Sequence, residues 1–199
     1  MKARICTLAA MMTVAMFLGS ASTAMAGTYT FQPTPADLWD LDHNYYFKWG
    51  INWQVPEGEV ISGANLFFDR IRNWDSRANV LYGHLLDTDF EGVRWRWDDE
   101  GGGDPFGGVK LFEWHDLPTT AQDLTHYFTT SEVDALILYS EDAFFGIGLD
   151  PDCHYYNCGI TLTIDTEVST PPAIPVPSAI GSGVALLGGL GLLRRRHAA

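Results

Sequence analysis

Positive charge is what this chain has least of. Twelve Lys and Arg stand against twenty-five Asp and Glu, and five of the twelve (Lys2, Arg4, Arg194, Arg195 and Arg196) lie at the two ends, where there are no acids. The stretch between carries seven basic and twenty-five acidic side chains, a formal charge of −18 against −13 for the whole chain. A surface of that sign repels nucleic acid and anionic lipid and attracts cations, Ca²⁺ among them. No nucleic-acid partner is expected. Catalytic signatures are also missing: there is no Gly-x-Ser-x-Gly elbow, no His-Glu-x-x-His pair and no phosphate loop. His43, His84, His115 and His126 are scattered without zinc-ligand spacing. No catalytic residues are expected, and no repeat of fixed period occurs.

The two ends differ from the middle. Lys2 and Arg4 precede an apolar run over 5–18, and Ala24-Met25-Ala26 is a small-x-small cleavage site. Residues 1–26 therefore read as a signal peptide, with the mature chain starting at Gly27. At the other end, residues 179–193 hold no charge and one polar side chain, Ser182. A helix of that length covers about 22 Å, short of the roughly 30 Å of a bilayer core. Five glycines weaken it further. The three arginines after it stay cytoplasmic. This pattern predicts a temporary membrane anchor over 179–199, joined to the middle by a Pro/Ser/Thr-rich linker over 168–178.

A leader at one end, with Pro175-Val176-Pro177, a short Gly/Leu helix and Arg194-Arg195-Arg196 at the other, resembles the PEP-CTERM sorting-signal proteins. The resemblance implies a bacterial exported protein whose tail is processed by an exosortase-type enzyme. It also implies delivery to the cell surface or to an extracellular polysaccharide matrix. The family's motif is typically Pro-Glu-Pro, and here Val176 stands in place of the acid. The resemblance covers residues 175–199 and is silent on the cargo.

Export sets the redox compartment. Cys6 leaves with the leader, and Cys153 and Cys158 remain. An even pair in an oxidising compartment is read most economically as one disulfide closing a small loop, contributing about 2 kcal/mol. A Cys-x4-Cys metal site would need further soft ligands, and no other Cys is left.

Residues 45–55 give the clearest strand, with Tyr45, Phe47, Trp49, Ile51, Trp53 and Val55 on one face. Strands are expected over 60–71, with a bulge at Ile71, and over 79–87, which is apolar on both sides and so central. Residues 93–97 and 109–114 read as a hairpin with a wide acidic, Gly-rich loop. Ser131, with an acid three residues on, reads as the N-cap of a short helix ending near Ser140. Strands over 143–149 and 159–166 complete the set, while 27–35 reads as an exposed lead-in. The expected fold over 27–167 is all-β, an antiparallel jelly-roll-like β-sandwich with one short helix, flanked by the signal and anchor helices.

Three groups of residues are candidates for binding. Asp150, Asp152 and Asn157 put oxygen donors on the Cys loop, where a hard cation such as Ca²⁺ takes six to eight of them. Trp39, Trp74, Tyr155 and Tyr156 fall in expected loops and offer faces for stacking on sugars. The Trp49–Trp53 and Trp95–Trp97 pairs have strand spacing and are expected in the core. The leading expectation is a non-catalytic exported surface or matrix domain. Its alternatives are a carbohydrate-binding module, Ca²⁺-assisted, recognising extracellular polysaccharide, and a hydrolase acting on that matrix.

Overall fold

The computed structural model describes residues 26–98 and 103–169. The signal peptide up to Met25, the sorting residues Pro175, Val176, Pro177, Arg194, Arg195 and Arg196, and the anchor segment lie outside the described residues. So do residues 99–102 of the acidic loop. Among the described residues no helix is long and apolar enough to cross a membrane.

Among the described residues, ten strands and one α-helix build an all-β fold: β1 (Thr28–Phe31), β2 (Tyr45–Asn52), β3 (Glu59–Asn73), β4 (Val80–Asp87), β5 (Gly92–Trp97), β6 (Val109–His115), β7 (Gln122–Tyr127), α1 (Thr130–Tyr139), β8 (Phe144–Pro151), β9 (Tyr155–Tyr156) and β10 (Gly159–Val168). They form two antiparallel sheets. The first has the order β1-β10-β3-β7, with β9 paired to the end of β3. The second has the order β5-β2-β8-β4-β6. From β1 to β4 the chain alternates between them.

Period-two patterning decides which faces meet. Phe47, Trp49 and Ile51 of β2, Phe145, Ile147 and Leu149 of β8, and Ile160, Leu162 and Ile164 of β10 are all buried in one core. Long β3 keeps to this pattern by slipping twice. Its inward residues are Ile61, then Ala64, Leu66 and Phe68, then Ile71. Each three-residue step coincides with a register shift, one against β10 at Asp165/Thr166 and one against β7 between Phe68 and Ile71. Arg70 takes a left-handed φ of 51° at the second. An extra residue in the bulge returns Ile71 to the core face. Phe68 meets Phe112 and Trp114 of the other sheet edge-on, at 5.8 and 5.3 Å between ring centres. Gly83 makes room for that cluster, since a Cβ there would lie 2.2 Å from the Phe112 ring. Burying each such side chain stabilises by about 1.5–3 kcal/mol.

Helix α1 packs across β3 of one sheet and β4, β6 and β8 of the other, with Leu136 fully buried. Its cap is Thr129, not Ser131. The Thr129 hydroxyl accepts the Glu132 N–H, and the Glu132 carboxylate accepts the Thr129 N–H at 2.6 Å.

Four expectations are corrected. Residues 28–31 are a strand, β1, because Thr28 to Phe31 pair with Asp165 to Leu162. Strands β5 and β6 are not a hairpin: they lie at opposite edges of the second sheet with β2, β8 and β4 between them. Trp95 and Trp97 are exposed rather than core, since β5 is an edge strand; the Trp39 ring lies against Trp95, at 4.7 Å. Cys153 and Cys158 are free thiols, one buried and one exposed. Pairing of Tyr155 and Tyr156 with Asn73 and Arg72 holds the intervening chain extended, so the two cysteines reach different surroundings.

Candidate functional site

The outer face of the second sheet carries the cleft, and strand register composes its floor. Arg94 stands opposite Lys48, Lys48 opposite Gly148, Gly148 opposite His84, and His84 opposite Lys110. One row across five strands is therefore basic at both ends and side-chain-free in the middle. In the next row Arg96 stands opposite Tyr46. The glycines let other segments settle on the sheet. A Cβ on Gly50 would lie 2.1 Å from the Phe90 carbonyl oxygen, and one on Gly148 would lie 3.0 Å from the Phe106 ring.

A cleft of about 1170 Å³ opens between these segments and β5. Its aromatic walls are Tyr46, Phe90 and Phe106, with Tyr139 from the end of α1. Lys48, Arg94 and Arg96 supply positive charge, and Asp87, Asp89 and Asp142 supply negative charge. Three of the seven basic residues of the acidic middle thus line one cleft. Two of them, Lys48 and Arg94, rest on rings. The Arg94 guanidinium lies 3.7 Å from the Phe90 ring centre, and Lys48 Nζ lies 5.8 Å from the centres of both Tyr46 and Phe106. Among the described residues none of the three forms an ion pair. Like charges set directly opposite on neighbouring strands are destabilising by up to about 1 kcal/mol. The Thr88 hydroxyl in the same wall is buried without a hydrogen-bond partner among the described residues.

One end of the sheet is acidic. His84 Nε2 and Lys110 Nζ lie 2.8 and 3.3 Å from Asp104 Oδ2, and Phe106 donates its N–H to Asp104 Oδ1 at 3.1 Å. Burial pushes the Asp104 carboxyl up, but these three partners outweigh it and hold it below the usual range. Asp150 is different. Opposite Tyr82, it is 2 % exposed, and its Oδ2 has no hydrogen-bond partner among the described residues. Burial first, then Asp98 and Asp152 beside it, push its proton affinity up to about 8. Near neutral pH Asp150 is a carboxylic acid hydrogen-bonded to Asp98, which lets these acids pack together. Burial first, then Asp98 and Asp104, also push Asp152 up.

Asn157 does not join them. Its Nδ2 donates to the Asp37 carbonyl at 2.9 Å and its Oδ1 accepts the Gly159 N–H at 3.0 Å, so both ends are occupied in folding the 37–40 loop. Of the four aromatics expected at a surface, Tyr155 is fully buried with its hydroxyl on Asn79 Oδ1, because β9 turns it into the core. Trp39 is half-exposed over Phe47 and Trp95. Trp74 and Tyr156 are part-exposed, and both lie beside His154, with ring centres 6.5 and 4.9 Å away.

His154 in turn meets His43, which sequence spacing left isolated. Asp42, His43 and His154 each place one potential ligand atom within 4.8 Å of the other two. Residues Leu38, Trp39, Asp40 and Leu41, all at φ between 44° and 58°, form a left-handed turn that delivers Asp42 and His43 to this place, with Leu38 and Leu41 fully buried beneath. No local sequence signal marks either this trio or the cleft aromatic Phe106. The basic residues of the cleft were not singled out either, although alternation in β5 sets Arg94 and Arg96 on one face.

No protein-family model matches the chain, and no curated protein matches it in sequence. Function must therefore be argued from the cleft and the clusters themselves.

Proposed function

We propose that this chain is an exported surface or matrix protein, carried by its PEP-CTERM-like tail, whose domain binds anionic polysaccharide in the cleft of the second sheet. The reading rests on the opposed Lys48 and Arg94, laid on aromatic rings and, among the described residues, unpaired with carboxylates, in a domain with a large excess of acids. Such an arrangement offers a sugar ring both an apolar face and a partner for its carboxylate or sulfate. The strand orders β1-β10-β3-β7 and β2-β8-β4-β6, with β5 added at an edge, support a jelly roll, an architecture found in lectin domains.

Affinity electrophoresis through polygalacturonate and through neutral dextran, each with and without Ca²⁺, tests this. Retardation is expected in polygalacturonate alone. Lys48→Ala and Arg94→Ala are each expected to weaken it by about tenfold or more, the worth of one charge-assisted hydrogen bond. Free migration in every gel would sink the reading. Retardation seen only with Ca²⁺ would favour the Ca²⁺-assisted reading over direct binding by Lys48 and Arg94. The intact mass of the surface form tests the sorting half, since a mass that retains 179–199 counts against exosortase-type processing.

The hydrolase reading needs an acid of raised proton affinity facing the cleft. Asp150 has that affinity but is not among the residues lining the cleft. The binding reading is therefore preferred to the catalytic one.

A further inference from the structure

A second site lies in the His43–His154 corner, independent of the cleft. We propose that Asp42, His43 and His154 bind a divalent transition ion of the Zn²⁺ class, leaving at least one coordination position open. Two imidazoles and a carboxylate are the donors that borderline ions prefer, whereas Ca²⁺ takes oxygen ligands. The three ligand atoms lie within 4.8 Å of one another. A tetrahedral ion with bonds of about 2.0–2.1 Å sets its ligands roughly 3.4 Å apart. All three side chains are part-exposed, so small rotations close that gap.

Two further observations point the same way. His43 Nδ1 is buried, has no hydrogen-bond partner among the described residues, and lies 4.0 Å from Asp42 Oδ1. A buried ring nitrogen without a partner is costly unless something binds it. The trio is also held in place by groups behind it. Asp42 Oδ1 accepts the Asn44 N–H and Nδ2 at 3.0 and 2.7 Å. The Asp42 carbonyl accepts the Tyr45 N–H at 3.0 Å. The His154 carbonyl accepts the Trp74 N–H at 3.0 Å, and the next N–H, of Tyr155, donates to the Leu41 carbonyl at 3.4 Å. Support of this kind orients ligands in metal sites. Trp74 and Tyr156 flank the histidines and shelter the position.

The test uses the full chain, stripped with EDTA and titrated with Zn²⁺ by calorimetry at pH 7.5. One equivalent is expected to bind, and His43→Ala and His154→Ala are each expected to weaken it by at least about tenfold. His115→Ala, on an exposed residue outside the trio, is expected to bind as the parent does. Cu²⁺ loaded on the parent chain is expected to show hyperfine coupling to two nitrogens by electron paramagnetic resonance, a readout that needs no variant to fold. No stoichiometric Zn²⁺ uptake by the parent overturns the proposal. Uptake that survives in both histidine variants, or a Cu²⁺ spectrum with fewer than two nitrogens, overturns it equally.

Discussion

Tyr155 donates its hydroxyl to Asn79 Oδ1 at 2.8 Å, and the same oxygen accepts the Leu117 N–H at 2.9 Å. Asn79 Nδ2 donates in turn to the carbonyls of Arg77 and Leu117 at 3.0 and 3.3 Å. One buried amide thus ties β9 to the segments before β4 and after β6. Burial pushes the Tyr155 hydroxyl far above its usual range, so it is a donor at every pH of interest.

Tyr155→Phe is expected to destabilise by about 1–2 kcal/mol, the net worth of one buried hydrogen bond. Asn79→Ala should cost more, because it also leaves the Leu117 N–H unpaired. Urea unfolding of the two variants checks the order. Equal losses would mean that Asn79 serves only the tyrosine.

Asp150 sets the alkaline side of stability. Its folded proton affinity of about 8 exceeds the unfolded value, so the folded state binds more protons across that window. Stability from this group is full below about pH 4 and falls as pH rises toward 8. Asp150→Asn imitates the neutral acid and is expected to flatten that fall. At pH 9 it should be the more stable chain, by on the order of 1–3 kcal/mol. Three carboxyls held low produce the opposite slope in acid and are common to both chains. Asp42 is held low by Asn44 and the two histidines against its own burial, Asp104 as described, and Glu113 chiefly by Lys110. The difference between the two melting curves therefore reports Asp150 together with its coupling to Asp98 and Asp152, and parallel curves between pH 5 and 9 would show its ionisation uncoupled from folding.

Gly50 and Gly63 make a matched pair. A methyl on Gly50 meets the Phe90 carbonyl at 2.1 Å, while one on Gly63 meets nothing within 4 Å. Gly50→Ala is expected to destabilise by about 1–3 kcal/mol and to displace the 88–90 wall of the cleft. Gly63→Ala should stay within about 0.5 kcal/mol of the parent. Thermal melts and polygalacturonate retardation read both effects. A Gly50→Ala chain that is stable and still retarded would show that the Phe90 wall moves freely and does not shape the site.

The strands with clean alternation were legible because a buried face repeats every second residue. Residues 45–52 and 159–166 belong to this class. Strand β7 was missed because Leu124 is its single large aliphatic residue, and its place comes from pairing with Asn65 to Phe68. The supposed hairpin failed for a related reason. Alternation in 93–97 and 109–115 marks two strands, but neighbours in sequence are neighbours in a sheet only when no other strand claims the edge. Here β2 and β4 claim them.

Local spacing and composition were enough for the all-β class, the excess of acid in the middle and the inward faces of the regular strands. Tertiary structure alone decided that Lys48 faces Arg94, that Asp150 is sealed beside Asp98, that Tyr155 turns inward, and that His43 meets His154. Each of these depends on pairing between segments distant in the chain, whose register is set by the packing of both sheets at once and not by any residue's immediate neighbours.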